Sequence, residues 1–152
     1  MHLAHYLGLL HRAQDTLANA LREVGAAHAD EADVAHLCDQ QAGQCDRRAA
    51  ALRPFADRYA EDAPDEPERL HSELFRGART GGLGLLRDLQ DLYLMAAECD
   101  ICWTLVRQAA EAVRDTDLVD LVDEAAAATT VQQAWLRTRM KQAAPQALVV
   151  AE

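Results

Sequence analysis

Between residues 3 and 28 the positions Leu3, Leu7, Leu10, Gln14, Leu17, Leu21, Val24 and His28 recur at steps of four and three. This is the repeat of one helical stripe and predicts a first helix over 3–28. The next residues collect Gly, Asp and Glu. Asp30 is placed to cap a second helix over 31–60, with Glu31 and Asp33 in its first turn beside the positive end of the dipole. That helix carries the seam Val34, Cys38, Gln41, Cys45, Arg48, Leu52, Phe55, Tyr59, and Pro54 removes one backbone donor near its end. An acidic, proline-bearing stretch then opens a crossover over 61–84. A short helix is expected inside it at about 68–79, broken by Gly81, Gly82 and Gly84. The pattern Leu85, Leu89, Leu92, Ala96, Cys99, Trp103, Val106, Ala110, Val113 predicts a long third helix over 85–114. Asp117 is the expected cap of a fourth over 117–143, with the seam Leu118, Val122, Ala125, Thr129, Gln132, Leu136, Arg139, Ala143 stopping before Pro145. An apolar tail, 144–152, follows. No strand pattern competes, so the fold class is all-α: a single-domain, up-down four-helix bundle whose links run short, long, short, the long crossover carrying the extra helix.

Composition narrows the partners. The chain has 152 residues, 50% of them hydrophobic and 26% charged, enough apolar material for its own core. Its 15 Lys+Arg against 25 Asp+Glu give a net charge of −10, with no basic run to offset it. Such a surface repels phosphate backbones and anionic lipid, which argues against nucleic-acid and membrane partners. No secretory leader or bilayer-spanning run is legible, and four cysteines are too few for a disulfide scaffold, so a reducing, cytoplasmic setting is expected. A homodimer, with a further protein partner docking on the apolar tail, is the expected assembly.

The seams break at one level. Counted from the two short links, Gln14, Cys45, Arg48, Cys99, Cys102, Thr129 and Gln132 fall within about one helical turn of one another. With Gln41 they predict a polar layer halfway up the bundle. Three thiols in that layer, Cys45, Cys99 and Cys102, are candidate ligands for a soft metal. The same thiols also read as small core hydrophobes, the commoner role of buried cysteine, and Gln14, Gln41, Gln132 and Arg48 as a hydrogen-bonded layer that fixes helix register.

The arrangement resembles the ferritin-like bundles, which place a Glu on each of two helices and a Glu-x-x-His on each of the other two at mid-height. The runs LLRDLQDLYLMA (85–96) and WLRTRMKQAAP (135–145) are similar to segments of small bacterial bundle proteins of that type. The resemblance spans residues 3–143 in topology and implies a ferritin-like bundle. Matched by height, the ligand positions hold Gln14, then Gln41-x-x-Gln44 or Cys45-x-x-Arg48, then Cys99, then Thr129-x-x-Gln132. The di-iron ligands are not retained. Neutral amides and a guanidinium disfavour a di-iron centre, which needs anionic oxygen donors.

No nucleophile, phosphate loop or catalytic carboxylate pair is legible, so no catalytic residue and no resident cofactor are expected. The reading is a non-enzymatic binding or assembly module. Its alternative is a metal-binding protein holding zinc, copper or iron on Cys45, Cys99 and Cys102. His28 and His36 are expected at a solvated helix end, and Asp88, Asp91, Glu98 and Asp100 on the solvated face of the third helix, Glu98 being the best candidate for an inward carboxylate.

Overall fold

Each apolar stripe becomes the inner face of a helix. The structure, a computed structural model, describes residues 1–61, 63–65 and 73–150. Helices α1 (Leu3–Ala27), α2 (Ala32–Ala60), α3 (Gly81–Ala112) and α4 (Thr116–Pro145) follow one another, and a π-type turn, Gln146–Val150, packs against α4 and α3. Their inner faces share one core in which Leu7, Leu10, Leu17, Leu21, Leu52, Leu89, Leu92, Trp103, Leu118 and Leu136 are fully buried.

Side-chain pairs at the helix ends fix the topology. His28, after α1, bonds Asp88 near the start of α3, while Arg58 and Tyr59 at the end of α2 meet Asp115 before α4. Arg139, late in α4, grips Glu31 and Asp33 at the start of α2. Each of the four neighbouring pairs, α1·α2, α3·α4, α1·α3 and α2·α4, is therefore antiparallel, and α2 and α3 point the same way. The crossover must span the whole bundle, about 43 Å for the 29 residues of α2.

Several boundaries differ from the sequence pattern. Residues 73–79 hold no helix, and the rest of the expected extra helix lies outside the described residues. Gly81, Gly82 and Gly84 do not break a helix; they begin α3, which starts four residues earlier than the apolar seam suggests. Thr80 is extended, Gly81 has φ 74°, and a Cβ at position 84 would stand 2.9 Å from the Cβ of Arg79. Glycine there lets the crossover fold down onto the first turn of α3. The cap of α2 is Glu31 and not Asp30, and that of α4 is Asp115 and not Asp117. Asp115 accepts from the backbone N–H of Leu118 at 3.1 Å. Ahead of it α3 closes in a Schellman arrangement, Arg114 N–H to Glu111 C=O and Asp115 N–H to Ala110 C=O, which forces Arg114 to φ 58°. Pro54 sits inside α2, which continues past it, and α4 runs through Pro145.

The crossover ends on a buried ionic cluster that corrects the expectation of solvated charges. Asp88 is 0% exposed and accepts from His28 Nε2 at 2.8 Å, from the backbone N–H of Arg79 at 2.9 Å and from Arg79 Nη1 at 2.7 Å. The same Nη1 reaches Asp91 at 2.8 Å. Hydrogen bonds to Asp91 and then Asp88 hold the Arg79 guanidinium above its ordinary pKa. Nearby, Glu23 of α1 accepts from the N–H of Ala78 at 3.0 Å. A segment without helical hydrogen bonds of its own is thus tied by its backbone to two helices.

Candidate functional site

Halfway up the bundle the inner faces of α2 and α4 run short of large side chains. At this level the buried residues are Cys45 and Ala49 on α2 and Ala125 and Thr129 on α4. The two helices consequently leave a cleft of about 440 Å³ between them, lined by Gln44, Arg47, Arg48, Ala51, Leu121, Glu124, Ala125 and Ala128. Behind it lies the polar layer.

The structure buries the expected layer residues Gln14, Gln41, Thr129 and Gln132, with Arg48 half-buried at the edge. It joins fewer of them than their heights suggest. Gln132 Nε2 donates to Cys45 Sγ at 3.9 Å, a weak sulfur bond across α4 and α2. Gln14 reaches Cys99 from α1, and Cys99 in turn feels both Cys45 and Cys102. Thr129 turns its hydroxyl back onto the Ala125 carbonyl at 2.8 Å, a local bond that withdraws it from the layer. Gln41 lies one turn nearer the α1–α2 link. Among the described residues four buried polar atoms have no protein partner: the acceptors Gln14 Oε1 and Gln41 Oε1, and the donors Arg48 Nη1 and Trp103 Nε1. Trp103 was legible only as an apolar seam residue; its indole N–H gives no periodic signal.

Burial dominates the electrostatics. It pushes the Cys38 thiol up to about 12 and that of Cys102 up to about 11, and raises Cys45 and Cys99 as well. For Cys45 the Arg48 charge and the Gln132 bond oppose the rise without cancelling it. These thiols stay protonated near neutral pH and are poor nucleophiles. Burial also draws the Arg48 guanidinium below its ordinary value, against the pull of Cys45, Cys99 and Glu124. It remains a cation.

The donor set does not fit two irons. It offers amide oxygens and an inward positive charge where bridging carboxylates are needed. Among the described residues no three His, Cys, Asp or Glu side chains are grouped to hold a metal ion. Glu98, the expected inward carboxylate, is half-buried and lines a separate cleft between α1 and α3 with Arg12 and Met95. His36 stands near the start of α2 and takes no part in the layer, while His28 belongs to the Asp88 cluster. No described helix is long and apolar enough to cross a membrane. No family model, curated protein or solved structure matches the chain.

Proposed function

We propose that this chain is a ferritin-like bundle that has exchanged its di-iron ligands for a polar layer without carboxylates and serves as a non-enzymatic binding or assembly module. The observation that carries the reading is the chemistry at mid-height: buried Gln14, Gln132, Cys45 and Cys99, with Arg48 beside them, where a redox metal would need carboxylates. The end-to-end crossover and the up, down, down, up order of the helices support the ferritin-like half of the reading. The outer face of α3 supports assembly. Leu83, Leu94, Ile101 and Leu105, spaced 11, 7 and 4 residues apart, form one outward stripe, each 47–61% exposed. Leu148, Val149 and Val150 add exposed apolar surface at the C-terminal turn. Such surfaces suit a homodimer in a reducing, cytoplasmic setting, where the four buried thiols persist as thiols.

Elemental analysis and native mass spectrometry on untagged, reduced protein test this. The expected result is a defined oligomer, a dimer, without stoichiometric metal. Zinc, copper or iron at one per chain, lost on the double substitution Cys45→Ala with Cys99→Ala, would overturn it in favour of a thiolate metal site.

A further inference from the structure

Arg22, Arg58, Arg79, Arg107 and Arg139 each hold one or two carboxylates. Arg48 does not. Among the described residues its one hydrogen bond is to Gln44 Oε1 at a long 3.4 Å, and its Nη1 is buried without a partner there. Removing a guanidinium from water without a counter-charge is costly, and unlike a lysine it cannot shed its proton. Its neighbour Arg47 also makes no ion pair among the described residues, and lies near enough to press on the Arg48 charge. The exposed Glu124, across the cleft on α4, is felt by Arg48 but makes no contact within ion-pair range. Arg47 and Arg48 against Glu124 leave the cleft one positive charge in a molecule whose net charge is −10.

We propose that the cleft between α2 and α4 binds a small organic monocarboxylate, its carboxylate on Arg48 and its apolar body over Ala51, Leu121, Ala125 and Ala128. This deepens the binding-module reading and rests on it. The fork of the guanidinium matches a planar carboxylate, which would meet its cleft-facing edge, where Nη2 has only the long bond to Gln44. The Gln44 amide stands at the same edge as a second polar contact. Small side chains on both walls leave room for a branched alkyl group, and their methyls give it an apolar bed. Charge selects the valence: one carboxylate neutralises the cleft, whereas a phosphate dianion overshoots it and meets Glu124.

The test is a titration of the full-length, isotope-labelled chain with isovalerate, its uncharged amide isovaleramide, and inorganic phosphate, read by NMR at the Arg48 side chain and the methyls of Ala125 and Ala128. Saturable shifts are expected with isovalerate, and none with the amide or with phosphate. Arg48→Met should weaken isovalerate by about tenfold or more, the loss of one charge-assisted contact. Two variants work even if that one fails to fold. Ala128→Leu fills the cleft and should abolish the shifts with Arg48 intact, and Glu124→Gln should tighten binding by about threefold by removing the opposing charge. Absence of saturation, equal binding of the amide, or indifference to Ala128→Leu overturns the proposal; tighter binding of phosphate overturns the assignment to a carboxylate. None of these touches the metal content, so the ligand can fail while the module reading stands, and a stoichiometric metal would sink the module reading whatever the titration shows.

Discussion

Asp88→Asn is the substitution that best isolates what holds the crossover in place. It preserves shape and volume at a position with no solvent exposure and removes only the charge and one acceptor oxygen. The native carboxylate accepts three hydrogen bonds, from His28 Nε2, from the Arg79 backbone N–H and from Arg79 Nη1. In the variant at least one of these meets an amide N–H instead, and a buried donor loses its partner. An unsatisfied buried donor costs about 1–3 kcal/mol, and disrupting a buried charged network about 3–5 kcal/mol, so a loss of about 3 kcal/mol is expected. For a domain of this length that lowers Tm by about 6–12 °C, at roughly 2–4 °C per kcal/mol. Thermal and urea unfolding followed by helical circular dichroism measure the loss. A second readout localises it: residues 73–80, held by the Ala78 and Arg79 amides, should become sensitive to protease at denaturant concentrations where the four helices remain folded. A stability change below about 0.5 kcal/mol, with cleavage of 73–80 unaltered, would refute the view that Asp88 anchors the crossover.

Three further outcomes are expected. Arg114→Gly should raise stability by about 0.5–1 kcal/mol in equilibrium unfolding, because Arg114 is the one described non-glycine residue at positive φ and the turn asks it only for backbone bonds. Asp115→Ala should cost about 1–2 kcal/mol by losing the Leu118 cap along with the Tyr59 hydroxyl at 2.7 Å. Burial would raise the Asp115 carboxyl, but Tyr59, Leu118 and Arg58 outweigh it and hold it low, so its contribution is present above the ordinary carboxylate pKa and is lost as pH falls through the lowered one; the wild-type chain should lose stability below about pH 4 more steeply than the variant. At the alkaline end the raised thiols act in the opposite sense. Their stabilisation is complete below the unfolded thiol pKa of about 8.5 and drains away above it, so wild-type stability should fall between about pH 9 and 11, and Cys38→Ala with Cys102→Ala should flatten that fall. A pH profile of urea midpoints checks both ends.

The helices themselves were legible because a period of 3.6 residues over seven or eight turns leaves little freedom. Leu3 to Val24 lie buried along α1, and Leu85 to Ala110 along α3, as their spacing requires. Helix ends were less legible. Asp115 and Asp117 are chemically equal candidates for a cap, and the choice depends on Arg114 taking a left-handed turn and on Tyr59 and Arg58 arriving from another helix. The mid-height coincidence of Gln14, Cys45, Cys99 and Gln132 followed from counting along rigid rods. Whether Thr129 turns inward or back on its own helix is a rotamer choice that counting does not reach. The burial of Asp88 does have a sequence signal, since it stands three residues after Leu85 and four before Leu92, on the buried stripe.

Sequence alone determined the four long helices and the face each one buries, since both depend on local geometry and on water's exclusion of apolar side chains. Only the tertiary structure decided which charges find partners. Arg79 and His28 lie 51 residues apart in the chain yet converge on Asp88, while Arg48, beside the α2–α4 cleft, makes no ion pair among the described residues. Ion pairing is short-ranged and set by how helices sit against one another, so no period within a single helix encodes it.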